Sequence, residues 1–210
     1  MLTDFGTHRL DTVHEVLSVE APRSATAAGG RFELRDGGET PDAIQVTYEY
    51  PGFVLSYEAS MLNAHGCGGR TPGKKYYQAR GPDDRPHGMA FYGSDGSLFA
   101  DRLGFEVYPE LRDEKAAGGF RTERLDVSGD DATALHLKNF IECIRTRQKP
   151  VADVEIGHRS TTVPHLGNIA FRTGHKIRWD AEREEILDDP QASQFLDRPV
   201  RKAWDLIPAL

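Results

Sequence analysis

The residues best suited to chemistry stand at the start of this chain. Wound as a helix at about 100° per residue, MLTDFGTHRLDTVHEVL puts Asp4, Thr7, His8, Asp11 and His14 on one arc. Phe5, Leu10, Val13, Val16 and Leu17 fill the opposite arc. Solvated helix faces are ordinarily built of Glu, Lys, Arg and Gln, which form helices better than Asp, His or Thr. Weaker helix formers at this spacing point to a use for them. His8 stands one turn from Asp4 and nearly one from Asp11, so two carboxylates can orient the imidazole and stabilise its cation. That arrangement suits a general acid/base at His8. A charged surface helix is the competing reading.

The rest of the chain reads as the scaffold for that helix. At 210 residues, 38% hydrophobic and 28% charged, it can bury one sizeable core as a single globular domain. Small residues in SATAAGG lead to a short strand at Arg31–Leu34, closed by Asp36-Gly37-Gly38. The strongest strand signal follows: Ile44, Val46, Tyr48 and Tyr50 share one face, and after Pro51-Gly52 so do Phe53, Leu55, Tyr57, Ala59 and Met61. Further strands are expected at Met89–Tyr92, Leu98–Asp101, Phe105–Tyr108 and Arg121–Val127, giving an antiparallel meander of six or seven strands. Asp130 or Asp131 is expected to cap a helix with the apolar stripe Leu137, Phe140, Ile141 and Ile144, stopped by Pro150. A second helix spans about Val154 to Thr173, broken or kinked at Pro164 and ended by Gly174. His136 and Cys143 lie off the first stripe, and His158 and His165 have no acidic partner one turn on, so all four read as structural or surface residues. IRWD after Ile177 reads as a strand, DDPQASQ as a turn or short helix, and Trp204 as an anchor for the tail. The fold class is therefore α+β: an open, mainly antiparallel sheet with helices packed on one face.

Charge and composition exclude several functions. A net charge of −7 argues against nucleic acid or an anionic membrane as partner. No apolar run reaches the length of a membrane span, and no signal peptide opens the chain, so the cytoplasm is the default location. Because Met1 stands two residues before a cap at Thr3 or Asp4, the true N-terminus and any targeting segment are expected to lie upstream. Cys67 and Cys143 form neither a C-x-x-C nor a disulfide framework. In the loop at 63–88, GGRTPGKK misses a P-loop because Lys75 stands where the magnesium-binding hydroxyl belongs. His65, Cys67 and His87 match no established zinc spacing, and no metal is expected. Arg70, Lys74, Lys75 and Arg80 beside Tyr76 and Tyr77 suit single strands only superficially, given the acidic whole. A polar lid over the first helix is the better use for this loop.

TDFGTHRLD resembles the start of the second domain in the Gfo/Idh/MocA oxidoreductases, the group containing glucose-fructose oxidoreductase and inositol dehydrogenase. There an Asp and a His in the pattern D-x-x-x-H flank the substrate, which falls here on Asp4 and His8, and Asp11 fits the acid of H-x-x-D. GSDGSLFADR and the helix before Lys149-Pro150 are similar to the same family, so the resemblance covers essentially the whole chain as that family's C-terminal domain. The family's nucleotide-binding Rossmann domain, with its G-x-G-x-x-G turn and an E-K-P segment supplying a lysine, has no counterpart in these residues. The resemblance implies a substrate domain of an enzyme moving hydride between a sugar or polyol and NAD or NADP, the cofactor being held by the missing domain. It further implies homo-oligomers formed through the sheet face. On that analogy His8 accepts the hydroxyl proton, Asp4 holds substrate and imidazole in register, and Asp11 supports the ring. Two alternatives stand beside it: a non-catalytic carbohydrate-binding or dimerisation module, and a metal-dependent hydrolase with Asp4, His8 and Asp11 as ligands.

Overall fold

In the computed structural model, which describes residues 1–60, 88–101, 104–113, 118–128 and 132–197, the hairpin forms where the alternation is cleanest. Strand β2 (Ala43–Tyr50) buries Ile44, Val46, Tyr48 and Tyr50 and exposes Gln45 and Glu49. Gly52, at φ +92, turns the chain into β3 (Phe53–Ser60), whose Val54, Ser56 and Glu58 face solvent. These strands extend a five-stranded sheet of order β3-β2-β1-β8-β9, with β1 (Ser24–Gly30), β8 (Ile177–Asp180) and β9 (Glu185–Ile186).

The first departure from expectation lies at β1. SATAAGG, taken for a lead-in, is itself the central strand, while Arg31–Leu34 is not a strand. Asp42 explains the difference. Its carboxylate, 1% exposed, accepts the backbone N–H groups of Phe32, Glu33 and Leu34 at 2.9–3.0 Å, and so takes the donors a ladder would need. Those three bonds, that from Leu34 foremost, hold the Asp42 carboxyl below the usual carboxylate range.

Two helices cover one face of this sheet. In the helix α3 (Val154–Thr173), Ser160, Val163, Pro164, Leu166, Gly167, Ile169 and Ala170 are buried, and the helix runs through Pro164 without ending there. It stops as expected at Gly174, φ +72, whose N–H bonds the Ala170 carbonyl at 2.9 Å. Gly167 lies against Tyr48 and Val46, which fixes the covered face as the one carrying the inward residues of β2. The other helix carries the candidate site. Asp189 caps the short α4 (Pro190–Ser193) by accepting the Ala192 N–H at 2.9 Å, and its second oxygen lies 2.6 Å from His175 Nδ1.

The described residues divide into two compact units: those at 2–29, 44–57 and 159–197 in one, and residue 1, 30–43 and the described residues between 58 and 158 in the other. The expected single meander is accordingly two sheets. The second has four antiparallel strands in order: β4 (Met89–Tyr92), β5 (Gly96–Asp101), β6 (Gly104–Pro109) and β7 (Leu125–Ser128). Its register aligns Phe91, Leu98, Val107 and Leu125 across one face, and Phe99, Glu106 and Asp126 across the other. Strand β7 starts later than Arg121 because Arg124 turns aside: its Nη1 donates to the Val107 carbonyl at 2.7 Å and its guanidinium sits 3.6 Å over the Tyr108 ring. The helix α2 (Thr133–Thr146) begins after Ala132, with Asp130 and Asp131 outside the described residues, and ends at Arg147, φ 61. Its apolar stripe forms, yet Leu137, Phe140, Ile141 and Ile144 are all exposed. The architecture is α+β with antiparallel sheets.

Candidate functional site

The opening helix, α1 (Phe5–Leu17), has Asp4 at its N-cap, although the Asp4 carboxylate makes no capping bond. Ser18, at φ 51, closes it. Its buried face consists of Gly6, Arg9, Leu10, Val13 and His14, whereas Phe5, Val16 and Leu17, expected to face the core, are exposed. The helix is thus turned about its axis from the expected setting, toward His14. Two contacts account for the turn. His14 Nε2 lies 2.8 Å from the Tyr50 hydroxyl, which points in from the covered face of β2 and requires a polar partner. Gly6 brings the helix onto Tyr57 of β3, where a Cβ would sit 3.4 Å from the ring.

The polar arc is divided by this setting. Asp4 and His8 are exposed, and among the described residues no side chain hydrogen-bonds the His8 imidazole. Thr7, half-buried, donates its hydroxyl to the Thr3 carbonyl at 3.2 Å, leaving its lone pairs free to accept. Asp11, also half-buried, faces α3: Ser160 Oγ donates to its Oδ1 at 2.6 Å. Near Asp4, burial pushes the Tyr57 hydroxyl up to about 12, with the Arg9 charge opposing and the Asp4 charge adding to the rise. The structure therefore joins Asp11 to Ser160 and His14 to Tyr50, and leaves Asp4 and His8 together on the solvent side. Ser160 and Tyr50 were missed as partners of this helix. Their signal was a small hydroxyl residue in the apolar stripe of α3 and the phenols, Tyr48 and Tyr50, on an otherwise aliphatic strand face.

Burial holds the His14 imidazole below the ordinary 6.5, against the raising charges of Asp11 and Glu20. A basic group so depressed binds fewer protons folded than unfolded. Its stabilisation is complete above 6.5 and is lost as pH falls through the lowered value. The midpoint of urea unfolding should drop between about pH 7.5 and about pH 5.5, and in His14→Gln this part of the drop should disappear.

Among the described residues no group of three or more His, Cys, Asp or Glu is placed to hold a metal ion, so Asp4, His8 and Asp11 do not converge as a ligand set. His65, Cys67, His87, the GGRTPGKK segment and Trp204 lie outside the described residues. For a dinucleotide the residues present do not fit: the chain has no G-x-G-x-x-G, and neither described sheet contains the parallel β-α-β pair on which that turn sits.

Residues 122–206 match the model described as the oxidoreductase family, C-terminal alpha/beta domain. Over that stretch the chain is similar to the C-terminal domain of this oxidoreductase family. The matched stretch contains α2, α3, β8, β9 and α4, hence Ser160 and the helix before Lys149-Pro150. Asp4, Thr7, His8, Asp11 and GSDGSLFADR precede it. No curated protein matches the chain in sequence. Among solved structures, the oxidoreductase YvaA of Bacillus subtilis is similar at 14% identity over 84% of this chain and 52% of its own, with a TM-score of 0.57. UDP-N-acetylglucosamine 3-dehydrogenase GnnA of Acidithiobacillus ferrooxidans gives 18%, 80%, 45% and 0.52. An oxidoreductase of Agrobacterium radiobacter, in complex with NAD+, L-tartaric acid and magnesium, gives 12%, 83%, 48% and 0.53. At these identities the likeness is one of fold, and the chain spans about half the length of each. No described helix is long and apolar enough to cross a membrane.

Proposed function

We propose that these residues form the substrate domain of a Gfo/Idh/MocA oxidoreductase acting on a sugar or polyol, with the nucleotide-binding domain outside the 210 residues. The nicotinamide cofactor, NAD or NADP, supplies hydride exchange with the carbinol carbon. What this chain contributes is binding and proton transfer. His8 accepts the hydroxyl proton, Asp4 accepts a hydrogen bond from the same or the adjacent hydroxyl and holds it against the imidazole, and Thr7 offers a further acceptor. The His8 imidazole is open to solvent, so it can pass the proton on. The observation that carries this reading is the setting of α1, which turns His14 inward and presents Asp4 and His8 outward. Support comes from the family match and from two fold relatives, one named a UDP-N-acetylglucosamine 3-dehydrogenase and one captured with NAD+ and a hydroxy acid. Turnover of His8→Ala, argued below, tests it.

The same domain is proposed to pair with a second copy through the outer face of the five-stranded sheet. Val54 is 65% exposed on that face, next to a polar surface where Glu49 accepts from Ser24 Oγ at 2.5 Å and from Lys176 Nζ at 2.6 Å. Val54→Lys should shift mass toward monomer in light scattering. A dimer indifferent to this change, or a monomeric parent, would remove the pairing, and a stable dimer without turnover would favour a dimerisation module.

A further inference from the structure

Helix α1 is held at three points along its length by three different elements. Gly6 rests on Tyr57 of β3, Asp11 accepts from Ser160 of α3 at 2.6 Å, and His14 meets Tyr50 of β2 at 2.8 Å. The two polar contacts lie about 60° apart around the helix, at one edge of the buried apolar residues Leu10 and Val13, and reach two different elements, so both are broken if the helix turns about its axis. We propose that Ser160 and Tyr50 are positioning residues for the candidate site, fixing the rotational setting of α1 and thereby the place of His8 and Asp4. Asp11 changes role accordingly. It serves the site by anchoring the helix to α3 and by lying close to His14, and it does not act as a direct partner of the His8 ring.

Magnitudes show why this matters. Side-chain tips stand about 5–6 Å from a helix axis, so a rotation of about 30° carries the His8 ring through about 3 Å. A misplacement of about 1 Å at a reacting group can cost about 10²-fold in rate. Apolar packing of Leu10 and Val13 tolerates small rotations, because dispersion and burial have little directionality. Hydrogen bonds to a carboxylate and to an imidazole do not. Ser160 is 2% exposed and His14 7%, so water offers neither contact an easy substitute. The charged and titratable groups around His14 are Asp11 on its own helix, Tyr50 from β2, and Glu20, which pairs with Arg159 of α3 at 3.5 Å.

This inference rests on the proposed role of α1, yet its test needs neither cofactor nor substrate. Imidazole Cε1–H resonances of the full chain are recorded by two-dimensional NMR for the parent, Tyr50→Phe, Ser160→Ala and the double variant, with thermal melts to confirm folding. Both His8 and His14 resonances are expected to move in each single variant and further in the double, although neither substitution touches His8. His165 and His175 are expected to stay in place, and Ser160→Thr to restore the parent spectrum. A His8 resonance unmoved in the folded double variant would overturn the proposal, as would equal displacement of all four histidines. Should the double variant fail to fold, the same His8 reading in Tyr50→Phe decides. A negative result leaves the proton-acceptor role of His8 standing, and normal turnover in His8→Ala leaves the anchors standing.

Discussion

His8→Ala, in the protein working with its nucleotide-binding domain, is expected to lower turnover by about 10²- to 10⁴-fold, the usual worth of a general base, with a smaller loss of sugar affinity. The exposed side of α1 holds Asp4 and His8, and no described side chain ties the imidazole down. Neither carboxylate of the arc replaces it. A carboxyl group is ordinarily a much weaker base than an imidazole, and Asp11 is already engaged by Ser160. Asp4→Asn should weaken binding and turnover together, since an amide still bonds a hydroxyl but no longer stabilises an imidazolium. His14, at the edge of the arc by sequence, would have been the natural control. Its burial against Tyr50 rules that out, because His14→Ala would open a cavity and leave a buried phenol unpaired. His165, exposed on α3, takes its place: His165→Ala should stay within a few-fold of the parent. Near-normal turnover in His8→Ala would mean that the wrong residue carries the proton.

Gly167→Ala is expected to lower stability by about 1–3 kcal/mol, the range for overpacking a well-filled core. The sign is not obvious, since alanine in a helix interior is favoured over glycine by about 0.5–1 kcal/mol. Geometry decides it. A Cβ at Gly167 would stand 2.4 Å from the Tyr48 hydroxyl and 3.0 Å from Val46 Cγ1. Both side chains are 0% exposed and have no solvent side to retreat to. The Tyr48 hydroxyl has no hydrogen-bond partner among the described residues, so Tyr48→Phe removes an unsatisfied group and widens the gap at once. In a double-mutant cycle, Gly167→Ala should cost much less in the Tyr48→Phe background. Equal costs in the two backgrounds, read as urea midpoints, would place the close contact elsewhere.

How far the chain could be read in advance followed from how each element is specified. Strands β2, β3 and β8 and the helix α3 announce themselves because alternation or a 3.6-residue period is sustained over several residues and bounded by Gly or Pro. Strand β1 does not. SATAAGG has neither alternation nor bulk, and becomes a strand because β2 and β8 claim its two edges, a tertiary effect that no local signal carries. Asp42 removed the false strand at Arg31–Leu34 from eight residues or more along the chain. The division into two sheets escaped for the same reason, since β8 returns from the far end of the sequence to pair with Ser24 and Ala25. At the site, spacing alone placed Asp4, Thr7, His8, Asp11 and His14 on one arc. Which edge of that arc turns inward depended on Tyr50 and Ser160, at sequence separations of 36 and 149 residues.

The central claim is that these 210 residues hold the substrate side, and only that side, of a nicotinamide-dependent reaction. Saturation-transfer NMR on the chain by itself, with NADH and a polyol such as myo-inositol or D-glucose present together, tests it most directly. Transfer to the sugar protons, lost in Asp4→Asn, with none to the nicotinamide or adenine protons, is the predicted result. Micromolar binding of NADH by this chain, or sugar contact indifferent to Asp4, would contradict it.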